Sequence, residues 1–448
     1  MQTGQKQIAL ISSAKNYLAK IESLKIDVAK SAFCWLLNIP GVPGYFSLKN
    51  LQTKKKINIS SFFFNFFRFF MSTAYLHNFR ILNNTNSEKN FETLIISWGN
   101  KNDFESNGSY NDRYFKINSR KNLKIMWFLL YSEDLLPKNI DKNIVLFGKE
   151  NLKKKYNFFY FIKVFFTNIK VSNFSLTKFF HIFSRSSHFA ELVSKEVLQI
   201  VKLKNFENIL LPYESQPFQN TIFKEVKKEN DKIKLIGYLH ATQPLPTLHL
   251  YRDGAPDLLL VHGSSQIFHL EKYLNWPSNK LRLIPSIRYT KKNKVNYDCN
   301  LVLPYSLSSE NILIKEFKNF LNKKEKGSLK PFIIRNHPFM NQSRVHKKFV
   351  KNIEKIILEY KDRFSDKAEK KTSIFFGGTS AILEALERGI QVVHIFADPV
   401  LESYSESLWP SIKVEKIREN VLEYNLSCYG KCISFSDEEN ILEKYCSL

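Results

Sequence analysis

Residues 372–396 read TSIFFGGTSAILEALERGIQVVHIF, and this run decides the fold class. Ser373–Phe376 is a short, continuous apolar stretch. Gly377 and Gly378 break it, and a helix-period segment follows over Thr379–Arg388 until Gly389 stops it. Gln391–Phe396 is a second apolar stretch. Strand, turn, helix and strand in this order make a βαβ unit, which lays its two strands parallel with the helix on one face of the sheet.

The same alternation extends outward in both directions. Apolar runs stand at Leu94–Ser97, Leu123–Tyr131, Ile144–Phe147, Asn208–Leu211, Lys234–Leu239, Asp257–Val261, Leu281–Ile284, Asn300–Leu303 and Pro331–Arg335. Helix-period segments such as Glu310–Asn322 and Arg344–Tyr360 lie between many of them. Continuous rather than alternating apolar strands are buried on both faces, as in parallel α/β sheets. The polar loop Arg288–Tyr297 divides the series. The expected fold is therefore α/β, with two Rossmann-like domains facing a central cleft, over residues 1–290 and 291–448. Such sheets bind ligands at the carboxyl ends of their strands. A further helix is expected over about 12–37.

Composition narrows the partners. The 448 residues are 44% hydrophobic and 24% charged, which is globular and neither disordered nor fibrous. Lys plus Arg number 67 against 42 Asp plus Glu, a net charge of +25 that calls for a polyanionic partner: nucleic acid, an anionic membrane surface or a phosphorylated substrate. The five cysteines are odd in number and clustered late, which argues against a disulfide framework. Cys428 and Cys432 lack the further Cys or His pair of a zinc site. No apolar run approaches the roughly 20 residues of a membrane span. The expected location is cytoplasmic, with contact to the inner face of the cytoplasmic membrane left open.

Two blocks combine Phe with Lys. Residues 1–80 hold 11 Lys/Arg against 2 Asp/Glu and include SSFFFNFFRFF; residues 151–190 hold 7 and none, around YNFFYFIKVFFTNIK. Aromatic rings beside amines suit a membrane interface. The same pattern also fits rings turned into the core with amines in water.

Candidate chemistry gathers at strand ends. The Gly377-Gly378-Thr379-Ser380 turn allows close approach of a ligand to the backbone and offers amides and hydroxyls to an anion, or is an ordinary helix cap. Ile333–Arg335 runs into Asn336-His337-Pro338, where the proline ends the strand and leaves Arg335 and His337 at its carboxyl end. Glu214 follows one strand and His240 the next, so the two come within reach of each other. Glu214 is placed to take a proton from a hydroxyl, or else caps the following helix. Tyr251-Arg252-Asp253-Gly254 reads as a turn. The GxGxxG, GxSxG and HExxH motifs are missing, as is any Asp-x-Asp, so hydride transfer, serine hydrolysis and zinc chemistry lose ground.

With these residues in place, the chain resembles the bacterial glycosyltransferases of GT-B architecture that use CMP-activated acidic sugars, of the sialyl- and Kdo-transferase type. His337-Pro338 resembles that group's HP motif, which contacts the cytidine nucleotide. Gly378-Thr379-Ser380 resembles its Ser/Thr motif at the nucleotide phosphate. Glu214 stands in the place of its catalytic base, although the group's acidic pair followed by glycine is replaced by Tyr213-Glu214-Ser215. The resemblance spans about residues 205–400. It implies an inverting, metal-independent transfer with no cofactor beyond the CMP-sugar co-substrate. His240 is the reserve base, and Arg335, Gly377 and Gly378 belong to the nucleotide-sugar site. The implied acceptor is a glycan or glycolipid of surface polysaccharide such as capsule or lipopolysaccharide. A UDP- or GDP-sugar transferase, a non-catalytic assembly protein and a nucleic-acid-binding protein are the alternatives. The last is disfavoured because the aromatics form apolar blocks rather than tracking Lys/Arg along a groove.

Overall fold

A computed structural model describes residues 2–53, 76–83, 90–122, 124–133, 135–149, 157–173, 175–291, 298–307, 309–337, 340–368, 372–438 and 441–446. Pro338, the run SSFFFNFFRFF, Lys153–Lys155 and residues 292–297 of the expected boundary loop lie outside them.

The strands are β1 (Phe79–Ile81), β2 (Thr93–Gly99), β3 (Ile125–Tyr131), β4 (Ile144–Lys149), β5 (Asn208–Pro212), β6 (Lys234–Tyr238), β7 (Leu258–Val261), β8 (Leu281–Leu283), β9 (Asn300–Val302), β10 (Ile333–Arg335), β11 (Thr372–Phe376), β12 (Gln391–Ile395), β13 (Ile412–Arg418) and β14 (Val421–Leu426). The helices are α1 (Thr3–Ser23), α2 (Pro43–Thr53), α3 (Phe158–Val171), α4 (Leu176–Ile182), α5 (Arg185–Leu203), α6 (Pro217–Glu229), α7 (Ser264–Leu274), α8 (Glu310–Asn322), α9 (Arg344–Glu359), α10 (Ala381–Glu387), α11 (Pro399–Glu402) and α12 (Ile441–Cys446).

Among the described residues the strands form two sheets, ordered β1-β4-β3-β2-β5-β6-β7-β8 and β10-β9-β11-β12-β14-β13. The first is parallel except for β1. The second is parallel from β10 to β12 and ends in the antiparallel β13–β14 hairpin. This is the expected α/β architecture, with two Rossmann-like domains. Every residue of β3 and β5 is buried, as strands covered on both faces require. One apolar core joins the two domains, including Phe375 and Val302 of the second sheet and Leu211 and Val261 of the first. Separate clusters fill the other face of each sheet.

Each sheet reverses its strand order once. In the first the reversal falls between β2 and β5; in the second it falls between β9 and β11. At such a point neighbouring connections leave in opposite directions and open a crevice beyond the strand ends.

Three departures from expectation have physical causes. The first helix spans Thr3–Ser23, not 12–37: Lys25 at φ 56° ends it, and the chain continues as irregular backbone with a 3-10 turn at Ala32–Cys34. The β13–β14 hairpin has no continuous apolar run, because one side of β13 is exposed and charged. The last helix, α12, packs Ile441 and Leu442 into the core beneath the first sheet rather than staying with the second.

Candidate functional site at the two strand-order reversals

At the first reversal, β5 delivers Tyr213, Glu214 and Ser215. Ser215 takes the left-handed conformation at φ 57°, turning the chain sharply into α6. Two side chains hold this turn. Gln219 Oε1 accepts from the amides of Glu214 and Gln216 at 2.9 and 3.0 Å, while its Nε2 donates to the Pro212 carbonyl at 2.7 Å. Arg252, 4% exposed, donates to the carbonyls of Ser215 and Cys34. The sequence shows Arg252 only as part of a turn; its position depends on a contact across 218 residues that no local pattern reveals.

The Glu214 carboxylate is therefore free of capping duty. Its Oε1 lies 3.3 Å from His240 Nε2, and its Oε2 accepts from Gln216 Nε2 at 2.6 Å. Burial pushes this carboxyl up. The hydrogen bond and charge of His240, together with Gln216, outweigh burial and hold it below its ordinary value. His240 follows β6, next to β5 in the sheet, as adjacent strand ends demand. Its ring meets Tyr114 edge-on at 4.7 Å. Tyr114 sits in the loop after β2, across the reversal. That loop is built on Asp112, which accepts from Ser97 Oγ at 2.5 Å, Tyr110 Oη at 2.7 Å and the amides of Tyr114 and Phe115 at 2.8 and 2.6 Å. Burial raises the Asp112 carboxyl in spite of these bonds.

At the second reversal, Gly377 adopts φ +57°, and a Cβ there would lie 3.1 Å from Pro304 Cγ, so this position requires glycine. His394 on β12 fixes the turn by bonding the Gly377 carbonyl through Nε2 at 2.7 Å; its Nδ1 pairs with Tyr424 Oη at 3.1 Å. Helix α10 begins at Ala381 and has seven residues. Thr379 Oγ1 accepts from the Ala381 amide at 3.3 Å, and Ser380 bonds Tyr289. The long helix expected from Thr379 is thus shorter, and its two hydroxyls are already engaged within the protein.

His337, after β10, is half-buried and meets Tyr305 edge-on at 5.4 Å; Tyr305 follows Pro304 at the end of β9. Burial and the charge of Arg288 push its imidazole below the usual value. Arg335 ends β10 on the sheet edge, where its carbonyl accepts from Leu303 N at 2.9 Å.

The two crevices face each other. A Cβ on Gly378 would stand 3.6 Å from Pro244, in the first domain's loop after His240, and Tyr404 donates to the Thr242 carbonyl at 2.9 Å. Glu402 also lies beside Gly378, but its carboxylate accepts from the amides of Ala397 and Asp398 at 2.9 and 3.3 Å.

Between the crevices stands Arg288. It is exposed, with its guanidinium 5.1 Å from the buried Tyr289 ring, and its amide donates to Tyr238 Oη at 3.3 Å. Its charge reaches Tyr114 in the first domain and Glu384 and His337 in the second. In the sequence Arg288 is merely the first residue of a polar loop. What singles it out is the bond its amide gives to Tyr238 Oη, which fixes the backbone at this point of the cleft. Among the described residues, no three His, Cys, Asp or Glu side chains converge as metal ligands.

No family model matches the chain, and no curated protein does. The solved structures similar to this chain include the following two. One is a glycosyltransferase from Rickettsia africae ESF-5, at 12% identity and a TM-score of 0.30, covering 69% of this chain and 79% of that one. The other is Arabidopsis thaliana UGT89C1 complexed with UDP-L-rhamnose, at 11% identity and a TM-score of 0.31, covering 72% of this chain and 82% of that one.

Proposed function

We propose that this chain is a glycosyltransferase that moves an acidic sugar, Kdo- or sialic-acid-like, from a CMP-sugar to a surface glycan or glycolipid, with inversion and without a metal. The acceptor is met at the inner face of the cytoplasmic membrane. One observation carries the reading: Glu214 pairs with His240 at one strand-order reversal, and the glycine turn at the other comes up against Pro244 in the loop after His240, with the charge of Arg288 felt on both sides.

In this mechanism Glu214 accepts the proton of the acceptor hydroxyl as its oxygen bonds to the anomeric carbon. The bond from that carbon to the phosphate oxygen breaks, and the CMP phosphate departs with the electron pair. Glu214 stays charged below the ordinary carboxylate range, so it is ready as an acceptor at neutral pH. The proton moves to it as the attacking oxygen grows acidic in the transition state. The departing phosphate lies against the Gly377-Gly378 backbone, with Arg288 and His337 at its side. A cation fixed before the reaction stabilises charge that develops in it. Thr379 and Ser380 shape the turn.

The test is a thermal-shift screen of CMP, UDP and GDP followed by turnover of Glu214→Gln. CMP is expected to raise the melting temperature most, because a ligand of the native state stabilises it by mass action. A larger shift from UDP moves the donor to a UDP-sugar. Glu214→Gln should lose roughly 10²–10⁴-fold in kcat with nucleotide affinity unchanged. Full turnover in that variant with loss in His240→Ala assigns the base to His240.

A further inference from the structure

Helix α3 shows two opposed faces. Asn157 caps it, accepting from the Tyr160 amide at 2.9 Å. Phe161 and Val164 are buried against Phe179 and Phe183 in a small cluster apart from the main core. The other side carries large apolar groups in the open: Phe159 is 84% exposed, Phe166 63% and Val171 65%. Lys163 and Lys170 are exposed too. Positions 159, 163, 166 and 170 follow the three- and four-residue spacing of a single helix face. Aromatic and cationic side chains therefore alternate along one stripe.

Such a stripe loses free energy in water unless something covers the rings, and its charge says what does. Residues 157–190 contain Lys163, Lys170, Lys178 and Arg185 and no Asp or Glu. A second copy of this chain would bring the same lysines against each other, on a molecule already at +25. The helix has 14 residues, short of the roughly 20 needed to span, and among the described residues no helix is long and apolar enough to cross a membrane. A layer that is apolar at depth and anionic at its surface suits both halves of the stripe. From these observations we infer that α3 lies flat on an anionic lipid bilayer, with Phe159 and Phe166 at the headgroup boundary and Lys163 and Lys170 reaching lipid phosphates. This surface rests on exposure and charge alone and stands whichever nucleotide the cleft takes.

The experiment is sedimentation of the full chain with sucrose-loaded vesicles, either phosphatidylcholine alone or phosphatidylcholine with 30% phosphatidylglycerol, an amount chosen for the assay. Wild type is expected to bind the mixed vesicles, and to release as salt is raised. The double variant Lys163→Gln/Lys170→Gln should bind them roughly 25-fold more weakly, at about fivefold per lysine. Phe159→Ser/Phe166→Ser should lose at least as much. All four side chains are exposed, so both variants keep the wild-type circular dichroism and nucleotide response. Equal wild-type binding to both vesicle types overturns the proposal, as does unchanged binding in both variants. A dimer that Phe159→Ser/Phe166→Ser dissolves, with no vesicle binding by wild type, reassigns the stripe to self-association.

Discussion

Lowering the pH from 7.5 to 5.5 should lower this protein's stability. Five of the buried histidines carry the effect: His181, His249, His262, His269 and His394, each at most 6% exposed. Burial pushes His249 and His262 down to about 3 and the other three to about 4. In the unfolded chain each titrates near 6.5. As pH falls below 6.5 the unfolded chain takes up protons that the native chain refuses, so stability present above 6.5 is lost on the way down. One pH unit below 6.5 each imidazole costs about 1.4 kcal/mol, and five cost about 7 kcal/mol. Asp112 and Glu387 oppose this, because burial raises both and the native chain binds their protons first. Over the two pH units each offsets at most about 2.7 kcal/mol, which leaves a loss of about 1.5–7 kcal/mol against a typical total of about 5–15. Urea unfolding followed by fluorescence at both pH values measures it. His269→Phe is the control: it keeps the stack on Trp409, 5.5 Å away at 26°, and should flatten the pH slope by one proton. An unfolding midpoint that does not move between pH 7.5 and 5.5 refutes the reasoning.

Other expectations concern the cleft and the domain contact. Arg288→Ala should weaken nucleotide binding about 10-fold or more in calorimetric titration, with Arg288→Lys recovering part of it, since a charge-assisted hydrogen bond is worth about 1.5–3 kcal/mol. Gly377→Val forces a β-branched residue to φ +57° with its Cβ 3.1 Å from Pro304, so both melting temperature and nucleotide affinity should fall; an unchanged melting curve rejects the strain. Gln7 donates to the carbonyls of Val400 and Ser403 at 3.1 and 2.8 Å and accepts from Ser405 Oγ at 2.6 Å, all buried. Gln7→Ala should cost about 2–3 kcal/mol in denaturant unfolding, the penalty of leaving such groups without partners.

The apolar runs placed the parallel strands because a strand buried on both faces must be apolar throughout, and β2–β7, β9, β11 and β12 obey this closely enough to be read directly, whereas β8 and β10 at the sheet edges are partly exposed. The β13–β14 hairpin escaped the same reading, since Lys413, Glu415 and Lys416 leave it no such run. Glu214 and His240 were legible as a pair because strand adjacency follows from sequence order there. Arg252, Arg288 and Asp112 were not. The two arginines owe their positions to partners in distant segments, Asp112 owes its position to the folding of its own loop back onto β2, and a buried arginine in a turn has the same local sequence as an exposed one. The seven-residue length of α10 was equally hidden, because its start depends on the bond between Ser380 and Tyr289.

Both ends of the chain trespass on the other domain. Helix α1 inserts Gln7 beside α11, and Lys49 of α2 pairs with Asp398 at 2.9 Å. On the way back, Glu387 takes the amides of Gly430, Cys432 and Ile433, and Ser434 exchanges bonds with His262 and Ser286 of the first domain. The cleft is thus hung on two chain passages, near 284–300 and 427–434, and latched by a third contact from α1. Any rotation of one sheet against the other would therefore have to break the buried bonds that Gln7 makes to Val400, Ser403 and Ser405, so the stiffness of the cleft is set as much by the first helix as by the loops that line it.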